Sequence, residues 1–120
     1  MSDSRPTAYL KRSCPFCLKL RIALAEAGQA DAVDYVVFDD GDETHQRLRR
    51  QMEEAGQQPS FPAVDFGDGK LATGTDDLIA RLTGPAGGEG PLVRYYNEGV
   101  FKAHGAMFRE LRELKAAQTA

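Results

Sequence analysis

Apolar residues in the first part of the chain change from a strand-like run to a helical spacing. Thr7–Arg12 predicts a short strand that stops at Ser13, and Phe16–Ala27 predicts a helix. Pro15 falls in the first turn of this helix, where proline is tolerated best, and Gly28 supplies its stop. The residues expected on the inner face are Leu20, Ala23, Leu24 and Ala27. The first unit is therefore a strand followed closely by a helix.

A second strand and helix follow, separated by an acidic segment. Val33–Phe38 is rich in β-branched and aromatic residues and predicts a mostly buried strand. Thr44–Ala55 predicts a polar helix whose inner face carries Leu48 and Met52. The acidic residues between the two lack the ligand spacing of a calcium loop. We interpret them as the start of the helix, where the helix dipole favours acids.

The next segment predicts a hairpin and a third helix. Phe61–Phe66 predicts a strand, Gly67–Gly69 a tight turn, and Lys70–Thr73 a short antiparallel partner. Thr75 or Asp76 is expected to cap the helix that follows. The order strand, helix, strand, helix, strand, strand, helix predicts an α/β fold, with a mixed four-stranded sheet and helices on both of its faces.

The last part of the chain predicts a linker and one long helix. Residues 84–90 are glycine-rich and lack the lysine of a phosphate-binding loop, so they predict a flexible connector. Pro91 opens a helix over about residues 91–116, in which Gly99 and Gly105 allow a kink. We interpret its apolar stripe as core packing, with dimerisation as the alternative role of this C-terminal stretch. The histidine within the stripe is interpreted as a packed histidine, with a catalytic or ligand role as the alternative. The stripe consists of Val93, Tyr96, Val100, His104, Met107, Leu111 and Leu114.

Composition and charge are those of an ordinary globular protein. The chain has 120 residues, 42% hydrophobic and 28% charged, so we expect one domain over residues 1–120 with a core of about residues 7–83. A formal net charge of -3 without a basic run gives nucleic acid or an anionic membrane no electrostatic reason to bind. No apolar stretch approaches the length of a membrane helix, and Met1–Pro6 lacks the order of a signal peptide. We therefore expect a cytoplasmic protein.

The chain has two cysteines, Cys14 and Cys17, at the start of the first predicted helix. A cysteine at a helix N-terminus meets unpaired backbone N–H groups and the positive end of the helix dipole, and both lower a thiol pKa. Lys11 and Arg12 add positive charge just upstream. Cys17 lies one turn inside the helix and is expected to be less exposed and less acidic. The pattern predicts a reactive thiolate at Cys14.

Three motifs, in this order, resemble those of the glutaredoxins. The first is the Lys-x-x-Cys-Pro-Phe-Cys of Lys11–Cys17 after the first strand, the second is Ser60–Pro62 before the third, and the third is Gly74–Leu78 at a later helix start. The resemblance spans residues 7 to about 83. Ser60 and Phe61 stand where the family has Thr-Val, Pro59 looks like an extra residue, and residues 72–74 replace the usual Ile-Gly-Gly.

The resemblance implies a thioredoxin fold and a glutathione-dependent thiol–disulfide oxidoreductase. By resemblance, Cys14 is the nucleophile that opens a glutathionyl mixed disulfide, and Cys17 is the resolving thiol for protein disulfides. Glutathione is then the co-substrate, glutathionylated or disulfide-containing proteins are the substrates, and glutathione reductase acts indirectly. The resemblance also implies a cis peptide bond before Pro62.

The same resemblance implies a glutathione site. Lys11 would pair with the glycyl carboxylate, the backbone of Phe61 would bond the cysteinyl portion, and Thr75 and Asp76 would hold the γ-glutamyl end. Capping of the helix is the alternative role for Asp76 and Asp77, and an ordinary surface position is the alternative for Lys11. Arg47 or Arg49 is a further candidate for the glycyl carboxylate, a solvated helix face being the alternative. The implied glutathione-binding residues are Lys11, Phe16, Phe61, Pro62, Thr75, Asp76 and Asp77.

Three other functions stay open at this point. Cys14 and glutathione could hold an iron–sulfur cluster in a dimer, or the chain could be an electron donor recharged by a thioredoxin reductase. The same fold forms the first domain of glutathione transferases, although the stretch after Thr83 is short for their helical second domain. A zinc site on the chain's own residues is weakly supported, because CxxC supplies only two ligands, so no metal is expected. We expect a monomer or a weak homodimer.

Overall fold

The computed structural model describes residues 5–84 and 87–119, and these contain one four-stranded sheet. Its strands are β1 (Thr7–Lys11), β2 (Asp34–Phe38), β3 (Ala63–Asp65) and β4 (Leu71–Ala72), in the order β2-β1-β3-β4. β1 pairs with β2 in parallel, whereas the β1–β3 and β3–β4 pairs are antiparallel. The sheet is mixed, as the element order predicts.

Helices cover both faces of this sheet. α1 (Pro15–Glu26) and α3 (Thr75–Thr83) pack on one face, and α2 (Glu43–Glu54) packs on the other. A short 3₁₀ turn, Ala30–Ala32, precedes β2. The first core includes Ala8, Leu10, Leu20, Leu24, Val64 and Leu78, and the second includes Phe38, Leu48, Met52, Ala63 and Leu71. This is a thioredoxin-like fold, so the predicted fold class is confirmed.

All four predicted helices begin within one or two residues of the predicted place, but the cap of α3 differs. Cys14 is the N-cap of α1, and the side chain of Asp42 caps α2 by accepting a 2.8 Å hydrogen bond from the His45 N–H. The expectation that Thr75 or Asp76 caps α3 is wrong, since the N-cap is Gly74 at φ 93°. This left-handed conformation favours glycine, and it makes Thr75 the first helical residue.

The prediction that β2 is mostly buried is also wrong. Val36 is 37% exposed and Val37 is 39% exposed, and only Phe38 of this strand is buried. β2 lies at the edge of the sheet, where the helices that cover the central strands leave its outer part open. The β-branched run therefore reflects strand propensity more than burial.

The chain after the core forms helices that are fastened to α1. α4 (Pro91–Tyr96) leads through a π turn (Asn97–Phe101) into α5 (Lys102–Thr119). The carboxylate of Glu26 accepts hydrogen bonds from the backbone N–H groups of Leu92 and Val93, at 2.7 and 3.1 Å. The last residue of α1 thus caps the start of α4 through its side chain.

The expectation that the whole C-terminal apolar stripe packs in the core is wrong beyond α4. Val93 and Tyr96 are buried, whereas Met107 is 68% exposed and Leu114 is 57% exposed. Each residue of an α-helix turns by about 100°, and a π turn inserts about one extra residue. Positions after the π turn are therefore rotated by about 100°, which turns the stripe away from the domain. His104 is accordingly partly exposed and stacks on Phe108 instead of lying in the core.

Two expectations fall partly outside the described residues, namely those for Met1–Pro6 and for the connector 84–90. Within the described part of the chain, no helix combines the length and apolar character needed to cross a membrane.

Candidate active site

The sheet and the first helix place Cys14 at the end of β1. The chain turns after Lys11 through Ser13, which has a left-handed φ of 65°, and the Cys14 N–H donates to the Lys11 carbonyl at 3.3 Å. Cys14 then has an extended backbone and caps α1 without a side-chain capping bond. Its half-buried thiol lies where the free N–H groups of the first helical turn converge.

The pKa of Cys14 is lowered to about 6. The largest cause is the Cys17 thiol, which donates a hydrogen bond to the Cys14 sulfur, and backbone N–H groups of Cys17 and Phe16 add to it. The charge of Lys11 contributes less, and partial burial opposes the shift. Arg12 is not among the causes, and its guanidinium pairs with Asp39 at 2.7 Å. The pKa of Cys14 is therefore lowered as predicted, and the hydrogen bond from Cys17 lowers it most.

Cys17 has the opposite character. It is buried, at 3% exposure, and the Lys11 N–H donates to its sulfur at 3.3 Å. Its hydrogen bond to Cys14, followed by burial and the Cys14 charge, raises the pKa of Cys17 far above that of an ordinary thiol. At neutral pH Cys14 is therefore mostly a thiolate, and Cys17 is a thiol that donates a hydrogen bond to it. Both cysteines are free in this structure.

A groove of about 480 Å³ opens on one side of Cys14, and we call it the polar groove. Its floor includes Phe61, whose bond to Pro62 is cis, as the resemblance implies. The Lys11 ammonium at its edge pairs with the Asp40 carboxylate at 3.0 Å, and this contact lowers the pKa of Asp40. The groove is lined by Lys11, Cys14, Asp40, His45, Arg49, Gln58, Pro59, Ser60 and Phe61.

A second groove of about 540 Å³ opens on the other side of Cys14, between α1 and α5, and we call it the aromatic groove. Phe16 is half exposed there and meets Phe101 edge to face, with ring centroids 5.0 Å apart. The groove is lined by Lys11, Ser13, Cys14, Pro15, Phe16, Phe101, His104, Gly105, Phe108 and Arg112. Cys14 therefore lies where two grooves of different chemistry meet.

The structure brings together some of the residues predicted to bind glutathione and separates others. Lys11 and Phe61 line the polar groove, whereas Phe16 faces the aromatic groove. Thr75, Asp76 and Asp77 form the first turn of α3 and line neither groove. Of the two candidate arginines, Arg49 lines the polar groove and Arg47 does not.

Lys19 is a neighbour of Asp76 that sequence reasoning missed. Its ammonium pairs with the Asp76 carboxylate at 2.9 Å, and its side chain is 12% exposed. The same ammonium lies 5.0 Å from the centroid of Phe101. The sequence signal for this ion pair is a lysine near the inner face of a predicted helix, because a mostly buried ammonium needs an acidic partner on a neighbouring element.

Asp40 and His45 are two more groove residues that the sequence left without a role. Asp40 comes two residues after β2, and Lys11 is the last residue of β1. Because β1 and β2 are parallel, their carboxyl ends lie at the same edge of the sheet, which brings Lys11 and Asp40 together. His45 is buried and accepts a 2.7 Å hydrogen bond from the Gly41 N–H through Nδ1. Its ring packs against Phe38 and Phe61, so it supports the loop before Pro62.

No group of three or more His, Cys, Asp or Glu side chains in residues 5–84 and 87–119 could hold a metal ion together. The arrangement around Cys14 is suited to attack by a thiolate on a sulfur atom.

Comparison with known proteins identifies a family for this chain. The search of curated proteins gave no match. The family model of the N-terminal domain of glutathione S-transferases matches residues 9–90, which contain the cysteine pair, the cis proline and the first turn of α3. This match covers more than half of the chain, and the chain therefore belongs to the family of glutathione S-transferase N-terminal domains.

Proposed function

We propose that this chain is a glutaredoxin-type thiol–disulfide oxidoreductase that uses glutathione to reduce glutathionyl mixed disulfides and protein disulfides. The observation that carries the proposal is the pKa of Cys14, which is lowered to about 6 beside the protonated Cys17 thiol. Only the thiolate form of a cysteine attacks a disulfide. A thiol with this pKa is mostly ionised at neutral pH.

In the route that uses one thiol, the Cys14 thiolate attacks the glutathione sulfur of a mixed disulfide. A bond forms between the two sulfurs, the old disulfide breaks, and the target leaves as a thiolate that takes up a proton. A second glutathione thiolate then attacks the glutathione sulfur on Cys14. Glutathione disulfide forms and Cys14 returns as a thiolate, so that one glutathione thiol is oxidised for each mixed disulfide reduced, and its sulfur replaces that of the target in the disulfide.

In the route that uses both thiols, Cys14 first forms a mixed disulfide with the target protein. This step removes the negative charge of Cys14 and the hydrogen bond that it accepts from Cys17. That hydrogen bond is the largest cause of the raised pKa of Cys17. Cys17 then loses its proton more readily and attacks the Cys14 sulfur. The target leaves reduced, and two glutathione molecules reduce the Cys14–Cys17 disulfide.

The polar groove is our proposed glutathione site. Lys11 and Arg49, which line the groove, would supply cations for the glycyl carboxylate, and the backbone of Phe61 before the cis proline would pair with the cysteinyl portion. The first turn of α3, Thr75–Asp77, would take the γ-glutamyl end through its free N–H groups and carboxylates. The Asp76 side chain is 83% exposed, so a ligand ammonium can reach it beside Lys19.

The family supports glutathione as the ligand, because glutathione S-transferase N-terminal domains bind it. This support is shared by glutaredoxins and transferases. The presence of a second cysteine that donates to Cys14 favours disulfide chemistry, in which a resolving thiol has a use. Cluster binding and recharging by a thioredoxin reductase are outcomes that the following experiment separates.

The test is the reduction of a small glutathionyl mixed disulfide by glutathione, coupled to glutathione reductase and NADPH. Wild type is compared with Cys14→Ser and with Cys17→Ser, the matched change at the second cysteine. We expect turnover in wild type and in Cys17→Ser, and none above background in Cys14→Ser. A protein disulfide as substrate is expected to require both cysteines.

Turnover that survives in Cys14→Ser would overturn the assignment of the nucleophile. Absence of turnover in wild type would overturn the glutaredoxin-type proposal. In that case the same preparation is assayed with thioredoxin reductase, for conjugation of glutathione to an electrophile, and for the visible absorbance of an iron–sulfur cluster.

A further inference from the structure

From Gly105 onward, α5 leaves its apolar stripe uncovered by the rest of the described chain. Every side chain from Gly105 to Gln118 is exposed, and among them Met107 is 68%, Leu111 45% and Leu114 57% exposed. A helix of this length is marginal in water without tertiary packing. An apolar stripe on such a helix indicates a surface that another protein surface covers.

The spacing of this stripe is that of a coiled coil. Its members follow one another at alternating intervals of four and three residues, which is the a/d repeat of a seven-residue heptad. Within α5 and the π turn they are Val100, His104, Met107, Leu111 and Leu114. In this register His104 and Leu111 take a positions, and Val100, Met107 and Leu114 take d positions. The face therefore fits a second helix of the same periodicity.

The charges beside the stripe indicate both the partner and its direction. Glu110 occupies a g position and Lys115 occupies the e position five residues later. In two parallel helices, a g residue of one faces the e residue of the next heptad in the other. Two copies of α5 in parallel therefore form two Glu110–Lys115 pairs. An antiparallel pair sets g positions opposite g positions, which brings the two glutamates toward each other.

We propose that α5 pairs in parallel with α5 of a second copy of this chain, through the stripe centred on Met107, Leu111 and Leu114. Two heptads form a contact at the small end of stable interfaces, so the dimer is expected to depend on protein concentration.

The π turn makes this pairing compatible with an open site. Phe101 at the end of the π turn and Gly105, Phe108 and Arg112 after it line the aromatic groove beside Cys14, whereas the stripe lies about 100° further around the helix. His104 belongs to both the stripe and the aromatic groove, and Phe108 of the groove also lies beside the stripe. The contact through the stripe thus borders the aromatic groove.

The first test is sedimentation velocity over a wide concentration range, with wild type, Leu111→Glu and Ala106→Glu. Ala106 is an exposed α5 residue on the opposite side of the helix, so it receives the same charge outside the proposed contact. We expect dimer formation in wild type and Ala106→Glu, and at least about tenfold weaker association in Leu111→Glu. A wild type that stays monomeric up to about 1 mM would overturn the proposal, and so would a dimer that Leu111→Glu does not weaken.

The second test concerns direction. Glu110→Lys sets a lysine opposite Lys115 in each of the two proposed pairs, and Lys115→Glu sets a glutamate opposite Glu110. Each single substitution is expected to weaken the dimer. The double variant restores opposite charges in a parallel dimer and is expected to recover wild-type association. A double variant that associates no better than the single ones would overturn the parallel arrangement. Thiol turnover is measured on the same samples, so a failure of the proposed function is distinguishable from a failure of the dimer.

Discussion

The hydroxyl of Tyr96 donates a 2.7 Å hydrogen bond to the carbonyl of Pro15, 81 residues earlier in the chain. Pro15 is the residue directly after Cys14 and the first residue of α1. The chain that follows the core therefore holds the turn that carries the nucleophile. Together with the contact between Glu26 and α4, it fastens this segment to both ends of α1.

Loss of this hydroxyl tests how strongly the extension supports the fold. Tyr96→Phe keeps the buried ring and removes one hydrogen bond, so we expect the free energy of unfolding to fall by about 1 kcal/mol. The measurement is urea denaturation of the reduced protein. Tyr95→Phe is the control, because Tyr95 is 76% exposed and is expected to change stability little. Equal effects of the two substitutions would contradict a specific role for the Tyr96–Pro15 bond.

The carboxylate of Glu26 gives a second stability prediction. Glu26→Ala removes the acceptor for the Leu92 and Val93 N–H groups, and the loss of a helix cap typically costs about 1 to 2 kcal/mol. We expect a lower urea midpoint with an unchanged m-value. Glu54→Ala, an exposed glutamate at the end of α2, is the matched control. An unchanged midpoint in Glu26→Ala would show that α4 is held by packing alone.

The titration of Cys14 is expected to depend on its partner cysteine. Thiolate absorbance near 240 nm in the reduced protein should rise with a midpoint near the Cys14 pKa of about 6. Cys17→Ala removes the donor that is the largest cause of the shift, so the pKa of Cys14 should move up toward its ordinary value of 9.0. Cys17→Ser keeps a hydroxyl donor and should give a smaller change. An unmoved midpoint in Cys17→Ala would assign the shift to the helix N–H groups instead.

The same lowered pKa predicts how stability changes with pH. Between the folded value of about 6 and the ordinary value of 9.0, the unfolded chain keeps a proton on Cys14 that the folded chain has released. The Cys14 contribution to the free energy of unfolding therefore rises with pH through this window and is lost as pH falls through about 6. The measurement is urea denaturation of reduced wild type and of Cys14→Ser at several pH values across this range. The difference between their free energies of unfolding should rise with pH. A difference that does not change with pH would contradict it.

Arg49 and Arg47 provide a paired test of the polar groove. Both are exposed residues of α2, but Arg49 lines the groove and Arg47 does not. We expect Arg49→Ala to raise the KM for a glutathionyl substrate by about threefold to tenfold, because a charged hydrogen bond to a carboxylate contributes about 1 kcal/mol at a partly exposed site. Arg47→Ala should leave KM unchanged. Equal effects would indicate a general influence of charge and not a groove contact.

Much of the fold could be predicted because local signals and tertiary structure agree. The proline after Cys14, the glycine at position 28 and the glycine turn after β3 mark boundaries within a few residues of those observed. Burial was harder to predict, since Val36 and Val37 have strand propensity whether or not a helix covers them. Edge position is set by strand order, which depends on contacts distant in sequence.

The site was predicted in part for a similar reason. The position of Cys14 at a helix start follows from its own neighbours, whereas the pairing of Lys19 with Asp76 joins two helices that the sequence does not place side by side. The donor role of Cys17 depends on the rotamer of one thiol. A spacing of three residues permits that contact but does not require it.

The π turn shows how small a change in a gene can alter the surface of this protein. One codon added to a regular helix is sufficient to rotate all later residues to a different side of the helix. A single apolar pattern then faces the core before the π turn and solvent after it. The stripe residues before the π turn, Val93 and Tyr96, lie in the core. Those after it become available to a neighbouring molecule, although none of their identities has changed.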